Sequence, residues 1–322
     1  MIVYRAYRNG DPPALWRLWQ EQPRRGTYRP ITTPFWFDHC VLSKSYFDHA
    51  GLIVALDGDT PIGFAHAGFG PNTDGSALDP RVGTTSVVCV APHPRKAEIS
   101  RQLLTMTEAY LRVRGARQLG FGPLRPVDPF YLGLLDVSCS PGVLASDGET
   151  LARLAECGYR EIDRHLILRR TLHDFRAPMD RQQAQLKRNY NVEFTQDPPA
   201  ENWWEACTLG QLERTLFTVH KRGGAVTIAS ASFWDAPDFG PPTLQPTGLL
   251  NITLTDDAAR EGLGVLLLGE ALKTFHTQGS TVVETQISRQ DSRSAELLLR
   301  LGFQEIDQAV VLAKDASAAD AV

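Results

Sequence analysis

The sequence predicts a mixed α/β protein built from two similar halves in tandem. Three observations carry this. β-Branched runs of strand length alternate with segments of helical period along the whole chain. A pattern in the first half recurs at a constant offset in the second. The stretch Leu249–Val265, LLNITLTDDAAREGLGV, sets an apolar strand-like run before Gly262-Leu263-Gly264 and a long apolar helix.

In chain order, Ile2–Tyr7 alternates as a first strand, and Asn9-Gly10-Asp11 breaks it. Asp11 with Pro12 and Pro13 starts a helix over Ala14–Gln20. Arg24–Pro34 is turn-rich, and Phe35–Phe47 is an aromatic helical candidate. Gly51–Leu56 and Pro61–Phe69 are strands joined by Asp57-Gly58-Asp59-Thr60, a hairpin signal. Thr84–Val90 is a buried strand. Ile99, Leu103, Met106 and Tyr110 then recur at helical spacing up to Gly115. Arg117–Phe121 is a strand, Pro123–Gly142 a Pro- and Gly-rich segment, Asp147–Glu156 a short helix and Glu161–Arg169 a closing strand. Thr171–Pro178 connects the halves, and Asp180–Arg188 is polar and helical.

From about Tyr190 the pattern restarts. Ala65-His66-Ala67-Gly68-Phe69 is followed 164 residues later by Ala229-Ser230-Ala231-Ser232-Phe233, and the same offset carries Val87–Val90 onto Asn251–Leu254 and Gly115 onto Gly279. After Gly142 the offset is 144: Asp147 meets Asp291, and Gly158-Tyr159 meets Gly302-Phe303. The difference makes Pro123–Gly142 an insertion in the first half. The chain reads as an internal duplication, residues 1–171 and 190–314, with a linker at 172–189 and a tail at 315–322. The bland alternative is two α/β halves that look alike because all such halves alternate.

Composition bounds the function. A net charge of −4 and a pI near 6.1 leave no electrostatic footprint for nucleic acid or an anionic membrane. No run reaches the roughly 18–20 apolar residues of a membrane span. Five cysteines, without a C-x-x-C pair, point to reduced thiols and a cytoplasmic protein. MIVYRAYRNGD reads as a charged strand, not a signal peptide. The eight histidines show no metal-ligand spacing. Glycines after the first strand would suit a dinucleotide fold; here they follow the fourth.

Gly262 and Gly264 remove Cβ atoms where a helix begins, so an anion can approach backbone N–H groups at the positive end of the helix dipole. Close helix–strand packing is the competing use of the same glycines. Ala259-Arg260-Glu261-Gly262-Leu263-Gly264 resembles the Q/R-x-x-G-x-G/A phosphate loop of the GNAT superfamily of acyl-CoA-dependent N-acyltransferases, with Ala259 in place of the leading Q/R. Asp291, Ser294, Leu298 and Gly302-Phe303 match the family's next motif in spacing, with Asp291 replacing Asn and Leu298 replacing Tyr. In the first half, Val90-Ala91-Pro92 and Arg95 fit the strand end and leading Arg, but Glu98 and Ser100 stand where the glycines belong.

The resemblance implies two tandem GNAT-like domains, each a mixed, mostly antiparallel twisted sheet flanked by helices. It implies acetyl-CoA as co-substrate, and the histidine spacing leaves no metal expected. Its cofactor-binding set is Leu254, Thr255, Arg260, Glu261, Gly262, Leu263, Gly264, Val265, Asp291 and Ser294. Glu98 would repel a phosphate, so the expectation places CoA in the second half alone. Asp291 is equally a helix N-cap for Ser294. The family's tyrosine acid falls on Leu298, and on Leu154 in the first half, so neither half supplies it. Glu284 on a strand is the nearest base, although a solvated strand glutamate is the commoner reading. Tyr131, Trp203, Trp204 and Trp234 suit packing better than an acceptor pocket, and Cys207 suits a buried thiol.

Two function classes remain. One is an acetyltransferase that moves an acyl group directly to a small-molecule or peptide amine. The other is a non-catalytic acyl-CoA-binding or scaffold protein. A duplicated aminoacyl transferase using charged tRNA is disfavoured by the lack of a basic stripe.

Overall fold

The alternating runs become strands because each has one face to bury. In a computed structural model, which describes residues 1–22, 34–124, 127–210, 212–235 and 245–316, the elements follow the expected order. The first half runs β1 (Ile2–Ala6), α1 (Pro12–Gln20), α2 (Pro34–Phe37, continued by a π turn over Asp38–Leu42), β2 (Leu52–Asp57), β3 (Thr60–Pro71), β4 (Leu78–Val90), α3 (Lys96–Val113), β5 (Gln118–Phe121), β6 (Val143–Leu144), α4 (Gly148–Glu156) and β7 (Arg160–Thr171). Next come α5 (Arg181–Asn189), β8 (Tyr190–Gln196), α6 (Trp203–Thr208), β9 (Arg214–Lys221), β10 (Thr227–Asp235), β11 (Pro246–Leu254), α7 (Asp256–Glu261), α8 (Leu263–Thr277), β12 (Val282–Ser288), α9 (Ser292–Arg300) and β13 (Gln304–Asp315). The long helix expected over Phe35–Phe47 is instead the short α2 and its π turn. The turn-rich segment at 24–33 and the tail at 317–322 lie outside the described residues; Asp315, expected in the tail, closes β13.

All strands join one sheet, ordered β1-β2-β3-β4-β5-β13-β7-β12-β11-β10-β9-β8, with β6 on β13. Hairpins and meanders make the outer strands antiparallel. Two parallel pairs, β4 with β5 and β11 with β12, come from the crossover helices α3 and α8. The centre of the sheet crosses the halves. β7 closes the first half in sequence but pairs with β12 and β13; β13 closes the second and pairs with β5, β6 and β7.

Each half packs its crossover helix on one face of the sheet. α8 is apolar nearly all round, and Phe275 meets Phe233 at 4.9 Å between ring centroids and Phe217 at 5.6 Å. α3 carries a narrower stripe, Ile99, Leu103, Leu104 and Leu111. The insertion covers the opposite face and also crosses the seam, since the Trp234 indole donates to the Val137 carbonyl at 3.0 Å. Gly248 lies directly beneath that indole; a Cβ there would come within 2.1 Å of Trp234 Nε1 and 2.3 Å of the Val137 oxygen.

Candidate functional site

The first half has an opening in its sheet. β4 and β5 pair only from Val82 with Gln118 to Thr85 with Phe121, and diverge beyond. There the β3–β4 register also breaks, with Thr85 opposite Ala67 and Val87 opposite His66, so Ser86 is the extra, bulged residue. The Ala91 amide donates to the Ile62 carbonyl at 2.9 Å. Strand alternation therefore turns the backbone of Val87 and Cys89 toward β3, and that of Val88 and Val90 into the gap. A cavity of about 540 Å³ fills this gap. Its walls are the β4 edge, the start of α3 (Lys96, Ser100, Arg101), α4 (Thr150, Arg153, Leu154), the insertion (Leu135, Asp136, Ser140), Trp19 of α1 and Gln22 just beyond it.

Its lining carries both signs, with Asp147, Glu149 and Glu156 at α4 beside the cations. Lys96, Arg101 and Arg153 lie on the α3–α4 side. Arg153 Nη2 donates to Thr150 Oγ1 at 3.2 Å and Nη1 is 3.6 Å from Glu149, yet Nη1 is buried with no hydrogen-bond acceptor. Glu98 is exposed and lies outside the cavity lining. Its carboxylate is held by Arg95 Nε at 2.8 Å, which keeps its pKa below the usual range. The repulsion expected from Glu98 is thus directed elsewhere. The far wall carries an anion, Asp136, which accepts from the Ser140 amide at 3.1 Å and the Ser138 hydroxyl at 2.5 Å.

The second half starts the same way and ends differently. β11 and β12 pair from Pro246 with Val282 to Leu249 with Thr285, then diverge. Within the expected phosphate loop at 259–264, α7 covers residues 259–261 and runs through Gly262, at φ +82°, into α8. Thr255 caps α7, accepting from the Ala258 amide at 3.2 Å, and Asp256 and Asp257 stabilise its N-terminal end. The first half cannot do this, because Pro92 and Pro94 in the same stretch disfavour helix.

The ten expected contact residues are used as follows. Gly264 is buried where a Cβ would stand 2.7 Å from Leu297 Cδ2 and 3.1 Å from Leu254 Cδ1. It lets α9 close on α8 beside the end of β11. The positions matching Gly264 and Leu297 in the first half are Ser100 and Arg153, both cavity-lining. Leu263 and Val265 are core residues. Arg260 pairs with Asp257, and Glu261 accepts from the Tyr190 hydroxyl at 2.7 Å. Over Gly262 lies α5, with Gln182 Nε2 donating to the Glu261 carbonyl at 2.9 Å. Asp291 is the N-cap of α9 and accepts from the Ser294 amide at 3.0 Å.

Other sequence candidates resolve into structure. Glu284 is buried rather than solvated, with Arg169 Nε donating to it at 2.8 Å. Trp204 lies tilted against Tyr46 at 4.9 Å between ring centroids, and the Lys44 ammonium donates to the Cys207 carbonyl at 2.7 Å. Tyr131 is buried, stacks on Trp19 at 5.1 Å and meets His66 Nδ1 at 3.2 Å. Burial pushes the fully enclosed His66 imidazole down to about 3. Its folded pKa lies below the unfolded value, so the unfolded chain takes up the proton first. The neutral-His66 fold is fully stable above about pH 6.5 and loses about 1.4 kcal/mol per pH unit between there and pH 3. Urea titrations of wild type and His66→Gln across pH 7 to 4 should converge on acidification; parallel curves would refute this. Among the described residues no group of three His, Cys, Asp or Glu could hold a metal, and no helix is long and apolar enough to cross a membrane.

The cavity's placement, where a bulged β4 parts from β5 beside the crossover helix, defines a class of fold. The chain has the tandem fold of GCN5-related N-acetyltransferases, the GNAT fold. The tandem GNAT protein from the clavulanic acid biosynthesis pathway aligns over 99% of this chain and 100% of its own, with a TM-score of 0.68 at 15% identity. A GCN5-related N-acetyltransferase from Sphaerobacter thermophilus aligns over 98% of this chain and 96% of its own, at a TM-score of 0.63 and 14% identity. The GCN5-related glucosamine N-acetyltransferase region of a fungal multi-domain β-N-acetylglucosaminidase reaches a TM-score of 0.71 at 15% identity; the match covers 98% of this chain but 38% of that one. No family model matches the chain. No curated protein matches it in sequence.

Proposed function

We propose that this protein is an acyl-CoA-dependent N-acyltransferase, with residues 1–171 and 190–314 as its two repeats, and that the first repeat holds the acyl-CoA. That reverses the placement expected from the glycines. The observation that supports it is the cavity between the diverging β4 and β5, open in the first half and walled by Lys96, Arg101 and Arg153. The cations suit the phosphates, with the buried Arg153 Nη1, which makes no hydrogen bond of its own beside Glu149, as a ready donor. The inward backbone of Val88 and Val90 suits the amides of pantetheine. In the second half, helix α7 fills the loop and Gly264 seats Leu297.

The co-substrate supplies an activated thioester. A neutral amine entering past Trp19 and Asp136 attacks its carbonyl carbon; the N–C bond forms, the C–S bond breaks, and the amine proton passes to solvent. Leu154 lines the cavity where the family's tyrosine would stand. A thiol pKa of about 8.5 means the thiolate leaves unprotonated at little cost, about 2 kcal/mol at pH 7, so the missing acid is tolerable. The acceptor is an amine, as in the neighbour named a glucosamine N-acetyltransferase. The acyl group is acetyl in the simplest case, and the protein works in the cytoplasm.

Calorimetry with acetyl-CoA, then thiol release with a panel of amines, tests this. CoA binding without turnover on any amine would favour the non-catalytic reading. Gly262→Ala provides the asymmetric control. Its left-handed φ of +82° makes any side chain cost about 1 kcal/mol of stability, while acetyl-CoA affinity should stay unchanged. A tenfold loss of affinity in a folded Gly262→Ala protein would return the site to the second repeat.

A further inference from the structure

Three consecutive residues of β4, Thr84, Thr85 and Ser86, bury their hydroxyls. Thr84 Oγ1 donates to the Gly122 carbonyl at 2.8 Å, and Thr85 Oγ1 pairs with Thr107 Oγ1 at 2.9 Å. Ser86 Oγ is buried with no partner. It is also the residue of the three that lines the cavity, and it sits on the bulge where β4 parts from β5. A buried hydroxyl without a partner opposes folding. Alanine would fill the same place without that cost, and the second half has Leu250 at the matching position.

We propose that the Ser86 hydroxyl is a substrate-contacting donor for the thioester, hydrogen-bonding its carbonyl oxygen as that oxygen gains negative charge under attack. This rests on the acyltransferase reading. As the amine's lone pair forms the N–C bond, the C=O π electrons move onto oxygen, where the Ser86 O–H donates to them. They return to re-form C=O as the C–S pair leaves with sulfur. Ser86 keeps its proton throughout. Protonating the thiolate is the wrong role for it, because an alcohol is a far weaker acid than a thiol. Donation to an oxyanion needs no proton transfer, and a donor set in a partly enclosed site acts there most strongly. The position supports the same role: at the divergence the β4 edge has no strand partner, and the cations that suit phosphates lie on the far side, along α3 and α4.

Isotope-edited infrared spectroscopy of [1-¹³C]acetyl-CoA on the full chain tests the contact. The carbonyl band should move to lower frequency on binding wild type and return toward its free position on Ser86→Ala, with Ser86→Thr intermediate. Free CoA, which has no acyl carbonyl, should bind wild type and Ser86→Ala alike. Transfer to hydroxylamine as a generic nucleophile should fall about 100-fold in Ser86→Ala, while its melting temperature stays level or rises. Failure of CoA to bind wild type would overturn both the acyltransferase reading and this role. Binding with the same carbonyl band in wild type and Ser86→Ala would overturn the role of Ser86 alone.

Discussion

A chain truncated after Phe303 should lose cooperative folding in its first half as well as its second. The deleted β13 lies between β5 and β7, pairing Leu312 with Phe121 and Ala313 with both Gly120 and Arg160. Val310 and Leu312 pack with Leu104, Val143, Leu154 and Tyr159, all first-half residues. Exposing Val310, Val311 and Leu312 costs about 1.5–3 kcal/mol each before any ladder hydrogen bond is counted, which approaches the whole stability of a typical domain, about 5–15 kcal/mol. Circular dichroism of residues 1–303 should show a broad, non-cooperative melt, and an isolated 1–171 fragment should behave alike, because its β5 and β7 would lack their partners. A sharp transition within a few degrees of the full chain would show that the first half stands without β13.

Reversing two of the cavity's cations should have the second large effect. The double variant Lys96→Glu/Arg101→Glu is expected to weaken acetyl-CoA binding about 100-fold or more, since two charge-assisted contacts of about 1.5–3 kcal/mol each are replaced by repulsion. Arg101 contributes little to the fold, as its ion pair with Glu156 is 3.6 Å long and solvent-exposed. Wild-type affinity should fall with added salt, and the variant's residual affinity should depend on it less. Calorimetry at two ionic strengths reads both. Unchanged affinity in the variant would remove the first-half site.

Much of the architecture was legible along the chain. The 164-residue offset that carries Val87–Val90 onto Asn251–Leu254 also carries the start of β5, Gln118, onto the start of β12, Val282. The 144-residue offset carries Gly148–Glu156 onto Ser292–Arg300 and Arg160–Thr171 onto Gln304–Asp315, helix onto helix and strand onto strand. Local patterns achieve this because period and turn chemistry act within a few residues. Helix α7 escaped because DDAARE carries no apolar periodicity; its signal was a cap, Thr255, followed by two acids. Ser86 escaped because a hydroxyl in an apolar run carries no mark of whether it finds a partner.

By itself the sequence determined most of the elements, their recurrence at a constant offset and a fold in which a crossover helix begins beside a strand end. Only the tertiary structure showed that the first repeat opens there. Gly264 removes a Cβ, and that statement is the same whether the space goes to a phosphate or to Leu297 from another helix. Ser100 and Glu98 look unfit for an anion until α3 turns Glu98 to Arg95 and leaves Lys96, Arg101 and Arg153 around a gap. Likewise, which strand completes which half depends on pairings between β5 and β13, and between β7 and β12, that span well over a hundred residues of chain. Contacts at that separation leave no periodic trace, so they had to be seen in three dimensions.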